Sequence, residues 1–111
     1  MKLFGYNFDV NGKTYILRLS TQNIVALEQK LGCNPIAIFG DGTTIPKISD
    51  MVLILFYSLQ QMNHGLTLND AYKIFDEYLA SGHIATDFIS VILEIYKVSG
   101  IINDEDTEKN A

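Results

Sequence analysis

The sequence predicts an α+β fold that is mostly α, with an N-terminal β-hairpin packed on a bundle of about four helices plus a short helical turn. Two observations predict it: an Asn-Gly turn between alternating segments near the start, and a series of capped amphipathic segments after it. A chain of 111 residues is long enough for one core. We therefore expect a single globular domain over residues 1–102 and a disordered acidic tail over residues 103–111.

Residues 3–20 are predicted to form the hairpin, because Asn11-Gly12 supplies the two positive φ angles of a type I′ turn. This turn places Val10 opposite Lys13 and fixes the register of both strands. The further pairs predicted on the apolar face are Phe8 with Tyr15, Tyr6 with Leu17, and Phe4 with Leu19. A lone hairpin is marginally stable in water, so this face should lie on helices.

The helical part is predicted to begin with residues 22–31, which follow Thr21 as N-cap and precede Gly32 as the left-handed residue. Asn34-Pro35 then restarts the chain, with Pro35 as the first residue of a short turn over residues 35–39. A longer helix follows to about Asn63. Its segment 51-MVLILFY-57 is apolar on every side, which predicts a central position in the bundle.

Two more helices complete the predicted bundle. Thr67 and Asp70 resemble a capping box for a helix over residues 68–81. Its predicted inward face carries Leu68, Ala71, Tyr72, Phe75, Tyr78 and Leu79. The last helix, residues 87–99, has only a narrow polar stripe, so it is either deeply packed or keeps one face for another chain.

Composition and charge exclude several classes of function. The net charge is −5, and the basic residues are scattered, so no basic stripe is present to neutralise the phosphates of a nucleic acid. The longest wholly apolar run, 51–57, is far shorter than the roughly 20 residues that cross a bilayer. One cysteine cannot form an internal disulfide. We expect a soluble intracellular protein without nucleic-acid or membrane partners.

No set of residues predicts catalysis, a metal or a cofactor. Cys33 lies just past a helix end with no histidine near it in the sequence, and Glu28 falls on a polar helix side. Ser81, His83 and Asp87 are the residue types of a hydrolase triad, but they straddle one helix boundary. The loop 40-GDGTT-44 lacks the lysine of a phosphate-binding motif. We therefore predict a protein that is not an enzyme.

Four segments together resemble the tail assembly chaperones of long-tailed bacteriophages and prophages. They are 17-LRLSTQNIVALEQKLGCNPIAIF-39, 46-PKISDMVLILFYSLQ-60, 66-LTLNDAYKIFDEYLASGH-83 and 87-DFISVILEIYKVSG-100. The resemblance covers about residues 15–101, and its motifs consist of helix caps and core positions. His83 departs from it, standing where a second glycine is expected in many relatives.

The resemblance implies a protein that binds the tape measure protein, keeps its helical apolar stretches from aggregating and helps recruit tail tube subunits. It further implies the short form of such a chaperone, working in the bacterial host cytoplasm and absent from the mature virion. A structural tail or head-tail connector subunit is the alternative. For contact with the partner or with a second copy, we predict an apolar surface on the last helix and after it, formed by Phe88, Ile92, Ile95, Tyr96, Ile101 and Ile102.

Overall fold

The computed structural model describes residues 4–103 and confirms the predicted fold class, an α+β fold that is mostly helical. Most of the predicted tail, residues 104–111, lies outside the described residues. The elements in chain order are β1 (Tyr6–Val10), β2 (Lys13–Leu17), α1 (Thr21–Leu31), a 3₁₀ helix (Pro35–Phe39), α2 (Ile48–Leu59), α3 (Leu68–Ala80), a second 3₁₀ helix (Ala85–Asp87) and α4 (Phe88–Val98).

The hairpin has the predicted register, from Val10 opposite Lys13 to Tyr6 opposite Leu17. Asn11 and Gly12 have φ angles of 53° and 82°, as the type I′ turn requires. The outermost predicted pair, Phe4 with Leu19, is wrong, because β1 begins only at Tyr6. Phe4 is 61% exposed, and the guanidinium of Arg18 lies 5.7 Å from the centre of its ring.

Helix α1 begins one residue earlier than predicted, with Ser20 as its N-cap instead of Thr21. Ser20 has extended backbone angles, and its hydroxyl accepts a hydrogen bond from the Asn23 amide at 3.2 Å. The predicted C-terminal signal is confirmed: Gly32 has a φ of 78°, and its amide donates to the Glu28 carbonyl.

Helix α2 ends at Leu59, four residues before the predicted end at Asn63. Side-chain amides bond to carbonyls around this point, in addition to the backbone bond from the Asn63 amide to the Leu59 carbonyl. Gln60 Nε2 donates to the Phe56 and Leu66 carbonyls, and Asn63 Nδ2 donates to the Leu59 and Ile16 carbonyls. The chain can therefore turn away toward α3 without leaving these carbonyls unpaired.

Helix α2 is the centre of the core, as its apolar sequence predicted. It packs against α1, α3, α4 and β2. Met51, Ile54, Leu55 and Leu59 are fully buried. Its position explains why this helix can be apolar on every side, since other elements cover most of its circumference.

Helix α3 begins with the predicted capping box: the Thr67 hydroxyl accepts from the Asp70 amide, and the Asp70 carboxylate accepts from the Thr67 amide. The predicted inward face is partly wrong. Its buried residues are Ala71, Ile74, Phe75 and Tyr78, whereas Leu68 and Tyr72 are 38% and 49% exposed. The buried stripe follows i, i+3, i+4 and i+7 from Ala71, so Leu68 and Tyr72 lie to one side of it.

Candidate functional site

Four of the six residues predicted to contact a partner are part of the core. Phe88, Ile92, Ile95 and Tyr96 are all 0% exposed. Ile101 and Ile102 are half-buried and pack against the same core. The predicted surface on α4 is therefore wrong for these four side chains, because β1, α2 and the second 3₁₀ helix pack around α4.

Tyr96 connects α4 to the first 3₁₀ helix. Its hydroxyl donates a hydrogen bond to the Pro35 carbonyl at 2.9 Å, and both groups are buried. Burial, and to a smaller extent the neighbouring Cys33 and Asp50, raise the pKa of Tyr96 above its ordinary value. One turn further on, the Ser99 hydroxyl accepts from the Leu19 amide. The C-terminal end of α4 is thus bonded both to the first 3₁₀ helix and to the chain after β2.

Most of the exposed large apolar side chains lie outside α4, and three of them belong to consecutive segments around the start of α2. Ile36, Ile45 and Ile48 are 51%, 55% and 54% exposed. We call these residues the isoleucine end. Exposed apolar side chains of this kind can bury apolar area against another protein without any change in the fold.

Caps and buried prolines hold the backbone of the isoleucine end. The side chain of Asn34 accepts hydrogen bonds from the amides of Ile36 and Ala37, both at 2.9 Å. Pro35 and Pro46 are buried, which anchors the segment on either side of the loop. Ile36 and Ile45, which stand next to these buried prolines in the chain, are more than half exposed.

The loop between these anchors is a turn built around Asp41. Its carboxylate accepts from the amide of Thr43 at 3.0 Å and from the hydroxyl of the same residue at 2.6 Å. The hydroxyl and then the backbone bond lower the pKa of Asp41. The glycines of this loop, Gly40 and Gly42, take positive φ angles of 59° and 90°. The interpretation of 40-GDGTT-44 as a turn agrees with this geometry.

The three residue types of a hydrolase triad only partly converge. His83 Nδ1 lies 3.4 Å from Asp87 Oδ2, and its ring stacks on Tyr78 at 4.2 Å between centroids. The Ser81 hydroxyl, however, donates to the Tyr78 carbonyl at 2.8 Å. Burial raises the pKa of Tyr78 to about 12, with smaller contributions from Asp87 and Tyr6. This cluster forms the end of α3 and has no activated nucleophile.

Cys33 and His83 have different neighbours. Cys33 is half-buried and lies beside Tyr96, whose pKa it helps to raise, whereas His83 pairs with Asp87. Within residues 4–103, no group of three or more His, Cys, Asp or Glu residues could hold a metal ion. We assign no reaction to either group.

One family match covers most of the chain. A family of unknown function, DUF6096, matches residues 8–111. The chain belongs to the DUF6096 family. Comparisons with curated proteins and with solved structures found no match.

The DUF6096 match begins at Phe8 in β1, so it includes all four α-helices, the isoleucine end and the cluster around His83.

The isoleucine end was not predicted from the sequence. The available signal was the isolation of Ile45, which stands between turn residues with no apolar partner at helical spacing before it.

Across the described part of the chain, no single helix combines the length and the apolar character needed to cross a membrane. The pair Leu68–Ala80 and Ala85–Val98 meets both criteria only when taken together, and the two parts are bent by 109°.

Proposed function

We propose that this chain is the short form of a phage or prophage tail assembly chaperone. It binds the tape measure protein and helps recruit tail tube subunits during tail morphogenesis, without catalysing a reaction. The resemblance over residues 15–101 supports this proposal. Its distinctive segments contain caps that have structural roles in this fold, such as Asn34 before the first 3₁₀ helix and Thr67 with Asp70 before α3.

The observation that carries the proposal is the exposed isoleucine end. Keeping apolar helices of another protein from aggregating requires apolar surface on the chaperone, because removal of that surface from water drives the binding. Full burial of one isoleucine side chain contributes about 1.5–3 kcal/mol. Ile36, Ile45 and Ile48 are each more than half exposed, so a partner can cover them without opening the core.

The proposal replaces α4 with the isoleucine end as the contact surface. The residues first expected to bind, such as Ile92 and Tyr96, support the fold that presents this surface. Helix α4 supports the backbone beside Ile36, since Tyr96 bonds to the carbonyl of Pro35.

The test is co-expression with the neighbouring tape measure protein, using the double variant Ile45→Asp and Ile48→Asp. We expect the tape measure protein to become insoluble and to lose co-purification with the variant, because two carboxylates replace apolar contact area. The matched control is Val25→Asp with Tyr72→Asp, which changes two apolar residues exposed to a similar degree, on α1 and α3. The control should keep the complex. A complex that survives the isoleucine substitutions in a folded variant contradicts the proposed surface.

A chaperone and a structural subunit differ in whether they are found in the finished particle. We propose that the protein acts in the bacterial host cytoplasm and leaves the assembly before the tail is finished. Mass spectrometry of purified particles tests this directly. Stoichiometric amounts of the chain in purified particles would favour the tail or head-tail connector alternative.

A further inference from the structure

The two outer edges of the hairpin differ in their hydrogen bonding. In an antiparallel ladder, alternate residues direct their N–H and C=O groups outward. On β2 these residues include Ile16, whose carbonyl accepts from Asn63 Nδ2 at 2.9 Å. Arg18, two residues on, donates its amide to the Ser58 carbonyl at 2.9 Å. The end of α2 therefore closes the outer edge of β2.

The same alternation places the outward groups of β1 at Asn7 and Asp9, which stand opposite Ile16 and Thr14. Within residues 4–103, the backbone N–H and C=O groups of Asn7 and Asp9 have no hydrogen-bond partner. Both residues are exposed. Nothing in the described part of the chain pairs with the outer edge of β1, and an unpaired edge is a template for a further strand.

We propose that the outer edge of β1 pairs antiparallel with β1 of a second copy, which joins two hairpins into a four-stranded sheet. The pairing is centred on Phe8, so that Asn7 of each copy stands opposite Asp9 of the other. The two strands are related by a two-fold axis, the commonest symmetry of soluble oligomers.

The register follows from the sequence of β1. Among symmetric pairings that use the outward residues of β1, only the one centred on Phe8 engages Asn7 and Asp9 of both strands. It places a side-chain amide opposite a carboxylate at two positions. Pairing Asp9 with Asp9 would instead place like charges opposite each other, which is unfavourable. The strand is thus complementary to itself in one register.

The surroundings of β1 suit a longer sheet. Phe8 and Val10 are buried against the helices, whereas Asn7 and Asp9 face solvent. Two joined hairpins would form a sheet with one face covered by helices and the other exposed to solvent, the usual arrangement for an antiparallel sheet. Two strands are also the minimum for a sheet, and four is among the common numbers.

The first experiment measures the oligomeric state of the full chain by sedimentation equilibrium. We expect a reversible dimer that Asn7→Pro weakens by about 10- to 100-fold, since each copy loses one intermolecular donor. The backbone N–H of Asn7 points away from β2, so the substitution spares the hydrogen bonds between β1 and β2. The matched control is Asn7→Ala. It removes the side chain but keeps the backbone N–H, so dimerisation should stay within a few-fold of that of the original chain.

The second experiment needs no substitution. In a dimer of mixed isotope labelling, NMR should detect a contact between the Hα atoms of Phe8 in the two copies. Residues opposite each other in a non-hydrogen-bonded pair have Cα atoms only about 4.5 Å apart. A chain that stays monomeric at all concentrations, or a dimer without this contact, overturns the proposal. A monomer that instead pairs β1 with a segment of another protein overturns it as well.

Discussion

Helix α4 and the isoleucine end are both rich in apolar residues, yet one is buried and the other is exposed. Phe88, Ile92 and Ile95 are 0% exposed, whereas Ile45 and Ile48 are more than half exposed. The difference shows that dense apolar sequence in a small domain is first used for the core. Isolated apolar residues between turn signals are the better guide to free surface.

The two regions are also held differently. Helix α4 is surrounded by packed side chains, including the ring of Phe88, which meets the rings of Phe8 and Phe75 at 5.7 and 5.2 Å. The isoleucine end is held by the cap at Asn34 and by two buried prolines. Substitutions should therefore affect stability in α4 and recognition at the isoleucine end.

The largest effect on stability is expected from Ile92→Ala in α4. Removing this fully buried side chain should lower the free energy of unfolding by about 2–5 kcal/mol, because a cavity adds to the lost transfer energy. Urea denaturation measures the change. The neighbouring control Leu93→Ala, at a position 37% exposed, should cost about 1 kcal/mol or less. Equal losses at both positions would contradict the orientation of α4.

Tyr96→Phe should have the next largest effect. It removes the donor to the buried Pro35 carbonyl and should cost about 1–3 kcal/mol, since that carbonyl loses its partner. Thermal unfolding followed by circular dichroism is a suitable measurement. Tyr72→Phe is the control on an exposed tyrosine and should change stability by less than about 0.5 kcal/mol. A neutral Tyr96→Phe would contradict a stabilising role for this bond.

Asn34→Ala tests the cap that supports the isoleucine end. The amides of Ile36 and Ala37 would lose their acceptor, at a cost of about 0.5–2 kcal/mol. Amide hydrogen exchange at these two residues should accelerate more than the global change in stability explains. Asn69→Ala is the control at an exposed position in α3. Unchanged exchange at Ile36 and Ala37 would argue against the cap.

Alkaline pH should lower the free energy of unfolding, because the folded protein disfavours ionisation of the Tyr78 hydroxyl. The folded protein raises the pKa of Tyr78 from 10.0 to about 12, mainly by burial. The unfolded chain then binds fewer protons than the folded chain between these values, so stability falls as the pH rises through this window. Tyr78→Phe should make this decline shallower, as measured by denaturant midpoints at several pH values. An identical decline in the variant would assign it to other groups.

The smallest effect on stability is expected from Ile48→Asp at the isoleucine end. The side chain is 54% exposed, so the free energy of unfolding should change by no more than about 0.5 kcal/mol. Chemical denaturation alongside Ile92→Ala gives the comparison within one data set. A loss as large as that of Ile92→Ala would mean that Ile48 belongs to the core.

Much of the fold could be predicted because its signals are local. The turn at Asn11-Gly12 fixed the register of the hairpin, and the capping box at Thr67 fixed the start of α3. The end of α2 was predicted wrongly, because the chain past Leu59 is held partly by a bond that Asn63 donates to a distant residue, Ile16. Such contacts leave no periodic signal in the sequence.

The candidate surface was much harder to predict than the fold. The sequence by itself determined that α4 carries too little polar surface to lie free in water, and that residues 40–46 form a loop. Only the tertiary structure decided that Phe88, Ile92, Ile95 and Tyr96 of α4 are buried inside the domain and that the isoleucines beside the loop remain outside. The physical reason is that periodicity reports how apolar a face is, whereas the packing of distant elements decides what covers it.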